Sequence, residues 1–227
     1  MARYGMVIDL GRCTGCQACS VACKTENNIP IVGPEESAKG RDINWIELAT
    51  ETEGEYPETR EKFIPMFCMH CDDPPCVKVC PVHATYMGPE GIVGQNYDRC
   101  IGCRFCVAAC PYTVKSFNWR EYTEPGEMGR HANPDVSIRP VGVVEKCTFC
   151  VHREQGARET AALEGREMAD GDYVPACVES CPAEAMIFGD LDDKGSKVAK
   201  AADSPHAFRM LEELGTEPKV HYLMERD

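Results

Sequence analysis

Sixteen cysteines in four groups of four, with short fixed gaps, constrain this chain more tightly than any other feature of its 227 residues. Cys13, Cys16, Cys19 and Cys23 read C-x2-C-x2-C-x3-C, and Cys100, Cys103, Cys106 and Cys110 repeat that spacing before Pro111. Cys68, Cys71, Cys76 and Cys80 follow C-x2-C-x4-C-x3-C and run into Pro81. Cys147 and Cys150 are parted by a long insertion from Cys177 and Cys181, which precede Pro182. No cysteine is left over. Three thiols within seven residues suit neither a regular helix nor a strand, so such a segment must curl around one small object with backbone amides turned toward its sulfurs.

That object is a cubane iron–sulfur cluster. In the run C-x2-C-x2-C-x3-C-P of bacterial ferredoxins, the fourth cysteine serves the other cluster of a two-cluster module. Structural zinc uses paired knuckles parted by a longer loop, commonly with histidine, and disulfide frameworks belong to small secreted domains. Neither fits these gaps. Motifs two and three lie only 19 residues apart and should build one compact module, which leaves motifs one and four to pair. The crossover rule then gives four [4Fe-4S] sites. They are Cys13, Cys16, Cys19 and Cys181; Cys23, Cys147, Cys150 and Cys177; Cys68, Cys71, Cys76 and Cys110; and Cys80, Cys100, Cys103 and Cys106. The expected fold is α+β: two ferredoxin-like modules, the inner one (59–120) nested inside the outer one (1–58 and 121–227), with loop and helix insertions.

Leu, Ile, Val and Phe supply only 42 residues against a formal net charge of −13, a balance at which a chain is expected to be disordered. Four clusters resolve the conflict, because metal-binding free energy is then folding free energy and ligated cysteine supplies buried contacts. The acidic balance argues against nucleic acid as a partner. No stretch approaches the roughly 18–20 apolar residues needed to cross a bilayer, and neither a twin-arginine pair nor a long apolar region opens the sequence. No G-x-G-x-x-G, P-loop, nucleophile elbow or H-E-x-x-H motif appears, so no catalytic site of its own is expected.

Along the chain, 3–9 (RYGMVID) reads as a strand entering the first cysteine loop and 20–27 as a short helix. INWIELATETEG (43–54) reads as strand and turn, GIVG (91–94) as a strand, and ARETAALEGREMAD (157–170) as a helix within the 151–176 insertion, either a solvated surface helix or a docking element. A last helix is expected over 199–214 before the strand-like KVHYL. Lys24, Arg99, Arg104 and Lys146 flank cysteines, where positive charge would raise a cluster's potential; solvated surface charge is the alternative. His70 and His152 lie close by but are not needed as ligands, since all four cysteine sets are complete. Phe105 and Phe149 are expected to exclude water, and Pro81, Pro111 and Pro182 to shape the exits from the loops.

At RYGMVIDLGRCTGCQACSVACKTEN, HCDDPPCVKVCP, RCIGCRFCVAACPY and RPVGVVEKCTFCVHR the chain resembles the four-cluster iron–sulfur subunits of complex iron–sulfur molybdoenzymes. Above all it resembles the branch of polysulfide, tetrathionate and arsenate reductases, alternative complex III and the menaquinone reductase complex. The resemblance implies an electron-transfer subunit without a catalytic site of its own. Its partners would be a molybdopterin-type large subunit or its relative, a multihaem cytochrome c in some complexes, and a polytopic quinone-binding membrane subunit. It also implies membrane association through those partners on the periplasmic face, with export on a partner's signal. Some relatives lack one cysteine of motif three and hold a three-iron cluster there; Cys103 stands here, so four cubanes are implied. The 26-residue gap between Cys150 and Cys177 exceeds the linker common in relatives, and the sequence stops at MERD without the transmembrane helix of dehydrogenase relatives, implying a separate membrane partner. The alternatives are a soluble polyferredoxin shuttling between cytoplasmic enzymes and a zinc-stabilised scaffold.

Overall fold

The segment RYGMVID forms strand β1 (Tyr4–Asp9), the spine of the molecule. Met6, Val7 and Ile8 are fully buried, as suits a strand covered on both faces. The computed structural model describes residues 2–121 and 131–224. Helix α1 (Ala18–Glu26) follows the first cysteine loop, and α2 (Pro34–Ser37) is a single turn within the 28–42 loop. Strands β2 (Glu47–Glu53) and β3 (Arg60–Met66) pair antiparallel, Glu47 opposite Met66, in a largely exposed hairpin. The middle of the chain holds α3 (Pro75–Lys78), the antiparallel pair β4 (Thr85–Met87) and β5 (Val93–Gln95), and α4 (Phe105–Ala108). Then come β6 (Ser116–Phe117), paired with β7 (Val144–Glu145), followed by α5 (Val151–Leu163) and α6 (Ala176–Glu179). Strand β8 (Met186–Asp190), α7 (Lys197–Ala202), β9 (Ala207–Phe208) and β10 (Val220–Leu223) complete the chain.

One four-stranded sheet, ordered β8-β1-β10-β9, joins the two ends of the sequence. β1 pairs parallel with β10, Met6 opposite Val220, and antiparallel with β8, Gly5 opposite Gly189. α7 packs on β1 and β8; its N-cap Ser196 accepts the Ala199 N–H at 3.0 Å, satisfying one of the open amides of the first turn. On the other face, Tyr4, Phe188, Tyr173 and Phe149 meet at ring separations of 5.0–5.5 Å, with Phe67 beside Phe149. Buried cysteines 23, 68, 71, 147 and 177 belong to the same core, so thiols stand where large aliphatic side chains are missing.

Two helices depart from expectation. The helix of the insertion starts at Val151, directly after Cys150, and stops at Leu163 rather than running over 157–170. Gly165 ends it: at φ +70° its N–H bonds Ala162 O and the Arg166 N–H bonds Ala161 O, closing the last turn. Residues 199–214 are not one helix. α7 ends at Ala202, two residues short of the Ser204-Pro205 pair, where a residue before proline is pushed out of the helical region; β9 and a 3-10 turn at Glu212–Leu214 follow.

Candidate metal centres

All sixteen cysteines are unpaired thiols, and two groups of four line cavities. Cys13, Cys16, Cys19 and Cys181 line one cavity with Leu48, Pro65 and Met186. The loop that presents the first three turns on Gly15 and Gln17, at φ 67° and 61°. A side chain at Gly15 would also meet the Phe63 ring at 2.6 Å, so glycine is required twice over. Motif three repeats the geometry at Gly102 and Arg104, φ 69° and 63°. There Cys100, Cys103 and Cys106 share a cavity with Cys80, beside Thr85, Gln95 and Val144.

The other two sets are seen through the fields their thiols exert on one another. Burial pushes the Cys23 thiol far up, with Cys147, Cys177, Cys150 and, last among them, Cys19 of the neighbouring set adding to the shift. Burial likewise pushes Cys71 to about 12, and Cys68, Cys76 and Cys110 are its thiol neighbours. Raised thiols of this kind ionise when a cation compensates them, so the donor chemistry suits a positively charged iron core. Cys80 behaves differently. Burial raises it, yet the backbone N–H groups of Thr85, Val82 and Ala84 outweigh burial and bring it below the usual thiol range. Amides also reach Cys147 Sγ from Phe149 at 3.4 Å and Cys181 Sγ from Ala185 at 3.4 Å. Among the described residues no three Cys, His, Asp or Glu side chains converge as a single metal ion needs; the thiols surround a space, which a multi-atom cluster would fill.

The three Cys-Pro exits share one turn. His83, Thr113 and Glu184 each stand three residues past the cysteine at φ 47–56° and donate their N–H to the carbonyl of Cys80, Cys110 or Cys181. Proline fits the second position of such a turn because its φ is already fixed there. Motif one has no proline. α1 instead continues through Cys23, and the buried Asn27 amide donates to Cys23 O at 3.0 Å and faces Cys23 Sγ and Cys150 Sγ, each at 3.7 Å.

Of the flanking residues, Lys146 is fully buried and its Nζ donates to Val93 O and, at 2.8 Å, to Cys147 O. Lys24 reaches Ile43 O at 2.7 Å, and the exposed Arg104 lies over the Phe117 and Trp119 rings; Arg99 is exposed. His152 Nε2 meets Glu26 Oε1 at 2.7 Å. His70 is fully buried against the Phe149 ring at 3.8 Å, and its Nδ1 accepts the Val93 N–H, which fixes the proton on Nε2. Phe149 is buried as expected, but Phe105 is 61% exposed. Asn27 escaped sequence reading, since nothing local marks it as facing a cysteine 123 residues away.

Links run from each expected set toward the next. Cys19 and Cys23 share α1; after burial, the strongest influence on Cys147 is the Cys68 thiol; α3 lies between Cys71 and Cys80, and α4 between Cys103 and Cys110. Cys16 and Cys103, in the first and last sets, are exposed, whereas every cysteine of the second set is buried.

Two sequence profiles, both described as 4Fe-4S dicluster domains, match the chain, one over residues 59–126 and the other over 12–84 and 99–185. The iron–sulfur cluster-binding subunit of menaquinone reductase from Nitratidesulfovibrio vulgaris is 50% identical, covering 99% of this chain and 90% of that one. The arsenate respiratory reductase iron–sulfur subunit of a Shewanella species is 38% identical over 97% of this chain and 96% of its own. A tetrathionate reductase subunit of Salmonella typhimurium is 37% identical over 97% and 72%. The longer profile runs along the sequence from motif one into motif two, whereas α1 packs against α6 and α3 against α4, so neighbours in space are not neighbours in the profile.

Proposed function

Because the chain belongs to the four-cluster iron–sulfur subunits of the complex iron–sulfur molybdoenzymes, we propose that it relays electrons between a molybdopterin-type large subunit or its relative, or a multihaem cytochrome c, and a polytopic quinone-binding membrane subunit. It is an electron-transfer subunit of an oxidoreductase complex, with four [4Fe-4S] clusters and no catalytic site of its own. The clusters supply one-electron carriers. The chain's residues hold them in line, turn amides toward the thiols and keep water from the middle of the row.

Each cluster is assigned the crossed ligand set: Cys13, Cys16, Cys19 and Cys181; Cys23, Cys147, Cys150 and Cys177; Cys68, Cys71, Cys76 and Cys110; Cys80, Cys100, Cys103 and Cys106. The two thiol-lined cavities and the mutual fields of the buried thiols support these sets. The packing of α1 on α6 and of α3 on α4 supports nested modules, the inner over 59–120 and the outer over 1–58 and 121–227. The observation that carries the relay is that the two exposed cysteines, Cys16 and Cys103, fall in the first and last of the assigned sets while Cys23, Cys147, Cys150 and Cys177 are all buried. No helix among the described residues is long and apolar enough to cross a membrane; the resemblance to the family supports attachment through partners, on the periplasmic face.

Purified holoprotein should contain about sixteen irons and reduce in several distinct steps by electron paramagnetic resonance, as four cubanes require; about eight irons would overturn the reading. Affinity capture from solubilised membranes should bring down a molybdopterin-type subunit and a polytopic one. Recovery of the chain alone from the soluble fraction would overturn the partner assignment.

A further inference from the structure

Lys115 has no protein partner for its charge among the described residues. It precedes β6, is 7% exposed, and its Nζ is buried with no hydrogen-bond acceptor there. Its stem lines a cleft with Trp45, Arg104 and Tyr112 while the ammonium points inward. Lys146, the other lysine of this interior, spends its donors on two carbonyls, and Lys219 is tied to Asp72 Oδ1 at 2.6 Å. A buried ammonium left unpaired costs several kcal/mol, roughly the effective desolvation penalty of one ion, so it must be answered by a negative group. Its charge is felt by the buried His70 ring, which supplies no negative charge, and by thiols. Lys115 is the strongest pull against burial at both Cys76 and Cys106, residues assigned to two different clusters.

We propose that Lys115 is the shared counter-ion of the clusters held by Cys68, Cys71, Cys76 and Cys110 and by Cys80, Cys100, Cys103 and Cys106, and that it sets their potentials together. A cluster with four thiolates becomes more negative on accepting an electron, and a fixed cation between two such clusters favours the reduced form of each. Lys115 is therefore a positioning charge for electron flow through this half of the row: it holds both potentials above the value burial alone would give. This rests on the ligand sets proposed above.

The test is a redox titration of intact holoprotein followed by electron paramagnetic resonance, comparing wild type with Lys115→Gln, Lys115→Met and Lys115→Arg. Selective damage to one centre in Cys76→Ser and to a different one in Cys106→Ser establishes the ligand reading first, so that an unmoved potential counts against Lys115 alone. In the two neutral variants the midpoints of two centres should fall by a tenfold or greater shift in the one-electron equilibrium, about 59 mV for n = 1. The other two should stay in place, and Lys115→Arg should lie close to wild type. Loss of iron from the neutral variants while Lys115→Arg stays fully loaded also supports the proposal. Four unmoved midpoints in a loaded neutral variant, or loss of iron from Lys115→Arg as well, would overturn it.

Discussion

At the scale of single residues, the ligand sets make sharp demands. Cys181→Ser should damage the centre that also draws on Cys13, Cys16 and Cys19 and leave the Cys23 centre intact, which iron content and resonance spectra would report; selective loss of the Cys147 and Cys150 centre would reverse the pairing. Asn27→Leu removes the amide that faces Cys23 Sγ and Cys150 Sγ. Since hydrogen bonds to cluster sulfurs raise the potential, that centre's midpoint should drop while the others hold. Glu26 accepts from Arg153 Nε at 2.6 Å and Nη2 at 2.8 Å and also meets His152. The Arg153 hydrogen bonds lead in bringing its carboxyl down to about 2 from an ordinary 4.5. A depressed carboxylate stabilises above the unfolded value and loses that contribution as pH falls through the folded one. The advantage of wild type over Glu26→Gln in denaturant midpoint should thus be constant above about pH 4.5 and shrink toward pH 2. The cysteines announced themselves by spacing. Asn27, Glu26 and Lys115 did not, because each acts on residues brought near only by folding.

Elements carry the repeat more faithfully than residues do. The left-handed pairs Gly15 with Gln17 and Gly102 with Arg104 are one loop built twice, and the repeat was legible along the chain as the shared C-x2-C-x2-C-x3-C spacing. At Gly102 a Cβ would sit 2.2 Å from Gly142 O, whereas at Gly142, φ +85°, it would meet nothing within 4 Å. Gly142→Ala should therefore cost only the left-handed penalty of about 1–2 kcal/mol. Gly102→Ala should cost clearly more and release iron first from the Cys100 centre, as guanidinium-induced bleaching would show. Helix ends were harder to read. Residues 157–170 and 199–214 have helical composition, but Gly165 and Pro205 stop the chain locally, and the start of α5 at Val151 is set by Cys150, held at φ 54°. The stripe that would mark α5 as a core helix is absent; only Glu154 and Ala161 are buried. It is fastened by charge instead, through Arg153 to Glu26 and Arg158 to Glu90, with His152 Nε2 in hydrogen-bond contact with Glu26.

For the whole molecule, the shortage of aliphatic residues and the burial of cysteine are two views of one design. Chelating iron from the holoprotein should collapse its far-UV dichroism and open it to proteolysis, since the buried thiols would lose the cations that hold them together; a native-like apoprotein would contradict this. Motif spacing made four clusters readable, and RYGMVID and KVHYL were readable as strands, but their parallel pairing was not, because register between segments more than 200 residues apart leaves no local trace. That pairing bears on synthesis. β1 and the first cysteine loop emerge from the ribosome with neither β10 nor Cys181 yet made, and at 5–20 residues per second the wait for the remaining 168 residues to Cys181 is roughly ten to thirty seconds. Cys68 needs only to wait for Cys110. A nascent chain stalled shortly after Cys110 should accept iron in its middle while Cys13, Cys16 and Cys19 remain open to alkylation, so loading proceeds from the inside outward and the first motif translated is among the last to be closed.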